Sequence, residues 1–228
     1  MFEEILVGTY SMYGLTLEHP DSPGGGSHIR IVLDELYLEN VYDFADVKGA
    51  VVFDIGAYCG ETAIYFSKRG ASVVYALEPF KSFDLISENS KLNNCNNILP
   101  IRGAISFSKS HVFINPEFVN DGGSRLQDGK GSTEINTYSL EDLINFSDMA
   151  GNKLKKYILK MDCEGGEFNA ISGASKEVLR RFCFMMIETH DHSGNINDLV
   201  EYIKSCGFSV FSKQHFAGTS LLYARLII

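Results

Sequence analysis

The chain has 228 residues, and 20 Lys and Arg against 29 Asp and Glu leave a formal net charge of −9. At 45% hydrophobic and 21% charged residues it has an ordinary globular profile, long enough for one core that buries ~70% of the unfolded surface. A pI near 5.1 with no Lys/Arg cluster excludes a protein that grips nucleic acid by its phosphates, and no window approaches the ~18 unbroken apolar residues needed to cross a bilayer.

The first residues, Met1-Phe2-Glu3-Glu4, are acidic where a secretory signal is basic. Gly24-Gly25-Gly26 marks a flexible point, and 31–44 is expected to form a helix beside the sheet entrance. Residues 1–47 thus form an N-terminal extension, a lid over the pocket or a segment pairing two subunits, and 48–228 form the main domain. Ala50 to Asp54 reads as a buried strand, Glu61 to Arg69 as a helix stopped by Gly70, and Val73 to Leu77 as a second strand ending at Glu78-Pro79. Phe80 to Leu92 is a second helix and Ile98 to Ile101 a third strand. The rhythm then breaks, with a strand at His111 to Asn115 and a polar loop, Asp121-Gly122-Gly123-Ser124. Ser139-x-x-Asp142 opens a helix. Tyr157 to Met161 is the fourth strand, Glu167 to Arg180 a helix, Phe182 to Ile187 the fifth strand and Ile196 to Cys206 the last helix. Phe208 to Ser212 and Ser220 to Ile228 close the chain, joined by a loop too short for a crossover and therefore antiparallel. The outline is α/β: seven strands in a mainly parallel sheet with the last one reversed, and helices on both faces.

Five cysteines, Cys59, Cys95, Cys163, Cys183 and Cys206, are odd in number and never spaced C-x-x-C. They form neither a disulfide framework nor a zinc site, and a reducing cytoplasm is the expected compartment.

The segment from Asp54 to Thr62 lies between the first strand and the first helix, where open α/β sheets bind ligands. Gly56 and Gly60 permit a tight turn and close approach to a ligand, and the helix start offers free N–H groups. A tight connection without a ligand is the alternative. Glu78, at the end of the second strand, is placed to accept both hydroxyls of a ribose. The spacing is G-x-x-x-G, not the dinucleotide G-x-G-x-x-G. Asp54 would repel a pyrophosphate and suits a ligand carrying an ammonium group. Asp54 and Glu78 together fit S-adenosylmethionine better than a nicotinamide dinucleotide.

Four segments carry a family resemblance: Val52 to Thr62, Ala76-Leu77-Glu78-Pro79, Leu159 to Glu167 with its Asp162-Cys163-Glu164-Gly165-Gly166-Glu167 element, and Ile187-Glu188-Thr189-His190. Together they resemble an FkbM-type methyltransferase over about residues 48 to 190. The resemblance implies the seven-stranded, Rossmann-like class I fold, S-adenosylmethionine as cofactor and oxygen as the methyl acceptor. The departures are Tyr58-Cys59, where Asn and a small aliphatic residue are usual, and Gly166, where alanine is common. The cofactor set comprises Asp54, Gly56, Ala57, Tyr58, Gly60, Thr62, Glu78, Pro79, Ala104 and Asp162.

Asp162 and Glu164 end the fourth strand, and a buried strand has little reason to end in two carboxylates unless something cationic or hydrogen-bonding meets them. Three roles compete: positioning the sulfonium end of the cofactor and an acceptor hydroxyl, acting as general base, or holding a divalent cation such as Mg²⁺. Glu188 and His190 reach the same mouth, so the catalytic set is Asp162, Glu164, Glu188 and His190. His190 could be a base, while His190-Asp191-His192 also reads as a polar loop. Glu167, in the first turn of its helix, reads as structural, and Cys59 as packing. Asp121, Gly123, Ser124 and Arg125 are candidate acceptor contacts or else a surface excursion. The expected function is a cytoplasmic S-adenosylmethionine-dependent O-methyltransferase of a small-molecule or sugar-bearing acceptor. It is expected to use neither nucleic acid nor membrane, and a homodimer is compatible with it. The competing readings are a non-catalytic module that keeps the cofactor site, and a nicotinamide-dependent oxidoreductase.

Overall fold

A computed structural model describes residues 7–20, 25–108, 110–114 and 133–227. The polar loop with Asp121, Gly123, Ser124 and Arg125 lies outside them. The elements run β1 (Val7–Met12), β2 (Leu15–Pro20), α1 (Gly25–Tyr37), β3 (Val51–Ile55), α2 (Glu61–Lys68), β4 (Val73–Glu78), α3 (Phe83–Leu92) and β5 (Ile98–Arg102). Then come β6 (Ala104–Ile105), β7 (His111–Ile114), β8 (Thr133–Tyr138), α4 (Leu140–Ser147), β9 (Tyr157–Met161), α5 (Glu167–Gly173) and α6 (Lys176–Leu179). The last four are β10 (Phe182–His190), α7 (Ile196–Ser205), β11 (Phe208–Gln214) and β12 (Thr219–Leu226).

Seven strands form one sheet in the order β11-β12-β10-β9-β3-β4-β5. Neighbours are parallel from β10 to β5, and β12 runs antiparallel to both β10 and β11. The expected α/β sheet with a reversed last strand is the fold observed. Side chains alternate across it, so each strand feeds two cores. Val52, Val74, Ile158 and Met186 face α1, α2 and α3; Phe53, Tyr75, Leu159 and Met185 face α4, α5, α6 and α7. Phe53 anchors the second core, with ring centroids 5.3 Å from Tyr75, 5.3 Å from Tyr157 and 5.7 Å from Phe182.

Several boundaries differ from the sequence reading. The helix expected over 31–44 is α1, which starts at Gly25, because Ile29, Leu33 and Leu36 form a buried stripe that overrides the low helix propensity of glycine. The helix expected from Glu167 to Arg180 is two helices. Ala174 is extended, and Ser175 recaps the chain by accepting from the Val178 N–H. The fifth strand continues to His190, because its pairing with β12 runs through His190 and Thr219. That puts Glu188 and His190 on rigid backbone rather than in a loop. The capping box at Ser139 and Asp142 forms as read.

The sequence reading contained no strand before residue 50. β1 and β2 make a hairpin around Tyr13-Gly14, both at positive φ (53° and 75°), which matches the twist of a two-residue turn. Asn89 of α3 and Asn93, just after it, hold β2 with their amides: the Glu18 N–H donates to Asn89 Oδ1 at 2.6 Å, and Asn93 Nδ2 donates to the Thr16 carbonyl at 2.7 Å. Leu15, Leu17, Val41 and Tyr42 are buried in the same core as α2 and α3. β8, also unread, pairs with β6 and β7 in a small sheet beside the strand ends. Among the described residues, no helix is long and apolar enough to cross a membrane.

Candidate active site

The loop from Gly56 to Gly60 leaves the carboxyl end of β3 as a preformed wall. The Gly56 and Ala57 N–H groups donate to the Leu77 carbonyl at 3.0 and 3.1 Å, and the Gly60 N–H donates to the Ala57 carbonyl at 2.7 Å. Gly56 has φ +75°, and a Cβ there would lie 1.7 Å from the Asp162 carbonyl oxygen, so only glycine lets β3 and the end of β9 meet. Tyr58, at φ +48°, donates its N–H to Glu78 Oε2 at 3.0 Å. Glu78 Oε1 accepts from the Phe80 N–H at 2.9 Å. The Gly103 N–H donates to the Glu78 carbonyl at 3.2 Å, which brings buried Ala104 to the same end of the sheet. Pro79 is half-buried beside it. Burial pushes the Glu78 carboxyl up to about 7, against the pull of the two N–H donors and of Lys160.

Asp54, expected to face a ligand's ammonium group, is wholly buried and engaged by the protein itself. Its Oδ2 accepts from the Thr62 hydroxyl at 2.6 Å, and its Oδ1 lies 3.1 Å from Lys160 Nζ. It supports the loop from beneath. Lys160 also donates to the Gly56 carbonyl at 2.8 Å. Sequence reasoning missed Lys160, although a lysine inside an otherwise apolar strand signals a buried counter-charge. Cys59 is buried and donates to Glu61 Oε2 at 3.2 Å. Burial pushes its thiol well above the usual range, so it is no nucleophile here.

The other half of the site gathers where β9 and β10 end. Met161 and Ile187 are register partners, so Asp162, just past β9, and Glu188, within β10, stand side by side. The Asp162 N–H donates to the Ile55 carbonyl at 3.0 Å, which joins this half to the loop. Burial raises the Asp162 carboxyl. Burial and then Asp162 push Glu188 up to about 8. Glu35 of α1 adds a third carboxyl, pushed up to about 7 by burial and then by Asp162. It pairs at 3.1 Å with Nε2 of His215, which follows β11, and Tyr42 is buried among Asp162, Glu188 and Glu35. Glu35 and His215 lie in segments whose patterns carry no chemical signal, and only the fold reveals them.

His190 is held between two carboxylates, Nε2 at 3.4 Å from Glu164 and Nδ1 at 3.4 Å from Glu167. Burial alone would lower it; Glu164 and Glu167 outweigh that and push it up to about 10. At neutral pH it is an imidazolium, a donor and ion-pair partner rather than a proton acceptor. Burial works against ionised Glu167 too, but His190 and the Cys163 N–H at 2.9 Å hold its carboxyl below the usual range. Glu164 sits at φ +57°, a conformation that non-glycine residues reach at a cost and that recurs in functional turns. Asp162, Glu164 and His190 each bring one ligand atom within 4.8 Å of the others, the one such trio among the described residues. A divalent cation there would require His190 to lose its proton first.

The residues present fit S-adenosylmethionine. Around the loop they offer the Glu78 carboxyl, carbonyl oxygens and a helix start without a side-chain cap, which suits a ligand with cationic, hydroxyl and carboxylate groups.

Comparison with known proteins agrees. Residues 54–210 match the methyltransferase FkbM domain. No curated protein matches the sequence. Among solved structures, one described as a SAM-dependent methyltransferase from Streptococcus mutans superposes with a TM-score of 0.57 at 10% identity, over 96% of this chain and 55% of that one. A SAM-dependent methyltransferase from Agrobacterium tumefaciens gives 0.51 at 12% identity, over 99% and 72%. Trm5b from Pyrococcus abyssi gives 0.50 at 16% identity, over 97% and 56%. At such identities the likeness is one of fold.

Proposed function

The chain belongs to the FkbM methyltransferase family, whose cofactor is S-adenosylmethionine, and on that footing we propose that it methylates a hydroxyl oxygen of an uncharged or cationic small molecule. The observation that carries this reading is the pair of carboxyls beside the glycine loop, Asp162 just past β9 and Glu188 within the adjacent β10, with Glu188 pushed up to about 8. A group that changes charge near neutral pH is matched to taking a proton as a hydroxyl oxygen becomes a nucleophile.

Bound S-adenosylmethionine supplies a methyl group on a cationic sulfur. Gly56, Ala57, Tyr58 and Gly60 wall its seat, with Pro79 and Ala104 at the Glu78 end. Glu78 accepts the ribose hydroxyls, and Asp54 and Thr62 brace the loop. On the acceptor side, Asp162 and Glu188 would orient the hydroxyl, and whichever of the two is ionised would take its proton as the methyl carbon exchanged its bond to sulfur for one to oxygen. Glu164 and the His190 imidazolium flank that pair and fix its surroundings. Above about pH 8, where Glu188 and Glu35 are ionised, the acidic mouth would oppose a phosphate-rich acceptor.

The test follows methyl-labelled S-adenosylmethionine into a panel of hydroxylated small molecules, sugars, amines and RNA. Label in hydroxyl compounds, lost in Asp162→Asn, is the expected result. Label confined to RNA or to amines would sink this acceptor assignment. Cofactor binding without transfer to any member would favour the non-catalytic module. Repeating the assay with Mg²⁺ and with a chelator reads the Asp162, Glu164 and His190 trio as a cation site.

A further inference from the structure

Resting on the cofactor reading above, we propose that Asn89 is a positioning residue: its buried side-chain amide ties the glycine loop to the N-terminal hairpin, which makes β2 a working part of the cofactor seat. Asn89 lies in α3 and is 0% exposed, a place where an apolar side chain would serve packing better unless the amide met partners. It meets three. Oδ1 accepts from the Glu18 N–H at 2.6 Å, while Nδ2 donates to the Glu18 carbonyl and to the Cys59 carbonyl, both at 2.8 Å. One N–H donor and two carbonyls allow a single orientation of the amide. The two bonds to Glu18 imitate a neighbouring strand along the edge of β2 that is turned away from β1. The bond to Cys59 reaches the loop.

That bond falls at a sensitive peptide. Asn89 holds the Cys59 carbonyl, and the Gly60 N–H of the same peptide group donates to the Ala57 carbonyl at 2.7 Å, so the plane is fixed at both ends. Glu61, the next residue, opens α2, whose first turn has no side-chain cap and is the helix start offered to the ligand. Rotation of the peptide would turn that start away. The helix carrying Asn89 backs the loop closely, since a Cβ on Gly60 would lie 3.2 Å from Ile86, one turn before Asn89. β2 makes a second contact at the preceding loop residue, where the ring of buried His19 meets that of Tyr58 edge-on, centroids 5.3 Å apart. The hairpin thus touches Tyr58 and, through Asn89, Cys59, the two loop positions that depart from the family pattern.

Asn93 supplies a matched control. Its amide accepts from the Thr16 N–H at 3.1 Å and donates to the Thr16 carbonyl at 2.7 Å, holding the same edge of β2. Its remaining bond runs to the Asn89 carbonyl at 2.8 Å and not to the loop. The probe is S-adenosylhomocysteine, titrated calorimetrically into the full chain and its variants, with thermal melting alongside. Asn89→Ala should weaken binding about tenfold and Asn93→Ala by less than about twofold, although both lose their bonds to β2 and melt earlier than the parent. Unchanged affinity in Asn89→Ala, or equal losses in the two variants, would overturn the proposal, because either amide can attach the hairpin. Should Asn89→Ala fail to fold, hydrogen exchange of the unmodified protein decides. Coupling between the loop and the clasp runs both ways, so bound S-adenosylhomocysteine should slow exchange at the Glu18 N–H more than at the Thr16 N–H. Equal or absent protection would overturn the proposal. No binding by the unmodified protein would defeat the cofactor reading itself, and this proposal with it.

Discussion

The two halves of the site use the same chemical groups and differ in how they are held. In the cofactor half, Asp54, Thr62, Glu78 and Lys160 are buried, and their contacts run from 2.6 to 3.1 Å. Those side chains come from strand ends and the loop between them, so short connections and parallel register dictate their geometry. In the acceptor half, His190 meets its carboxylates at 3.4 Å, and Asp162, Glu164, Glu188 and Glu35 are only partly buried. These groups arrive from α1, β9, β10 and the turn after β11. One half is a rigid seat for a constant ligand. The other is an assembly of distant parts, able to vary without disturbing the seat.

Substitutions can break that contrast, and the largest effect is expected at the seam. Gly56→Ala places a Cβ 1.7 Å from the Asp162 carbonyl at a φ of +75°, and should cost about 3 kcal/mol or more of stability, read by urea unfolding. An alanine variant as stable as the parent would show that the seam is not rigid. Asp162→Asn should lower kcat by about 10²-fold while changing S-adenosylhomocysteine affinity far less. Equal losses in both would move Asp162 wholly into the cofactor half. Glu78→Ala should weaken that affinity by about tenfold, roughly 1.4 kcal/mol by calorimetry, and unchanged binding would remove the ribose assignment.

The smallest effect concerns Glu188, and its sign follows from its proton. The folded state holds that proton to about pH 8, well above the ordinary carboxylate value of 4.5. The resulting stabilisation is complete below pH 4.5 and is lost as pH rises from 4.5 to 8. Glu188→Gln, which never ionises, should match the parent near pH 4.5 and exceed it by on the order of 1 kcal/mol at pH 9, after allowing for screening at a partly exposed site. A stability difference that does not change with pH would mean that Glu188 ionises as it does in solution.

The same contrast explains what could be read in advance. The sheet was legible because buried strands such as Tyr157–Met161 and their intervening helices leave unambiguous periods, and the loop because Gly56, Gly60 and Glu78 stand at diagnostic spacing. Asp54 was visible as a residue, but its partner was not, since pairing with Lys160 depends on β3 and β9 being neighbours although more than 100 residues separate them. Glu35 and His215 were illegible for the same reason carried further, being 180 residues apart yet 3.1 Å from each other. The hairpin of β1 and β2 escaped because its clearest support comes from two asparagine side chains on and just after α3, a tertiary pairing without a local pattern. His190 was read as either base or loop. Only its place at the end of β10 between Glu164 and Glu167 shows it to be cationic.

The position of β12 also orders the birth of the molecule. A ribosome releases β11 before β12, yet β12 lies between β10 and β11 and pairs with both. Until residues 219–226 emerge, β10 presents a bare edge on the side of Glu188 and His190, and β11 has no strand to join. The central strands can assemble during synthesis, but the acceptor wall waits for the last strand of the sheet to slide home. A chain cut before Thr219 would therefore keep the glycine loop intact and expose an adhesive edge beside Glu188 and His190.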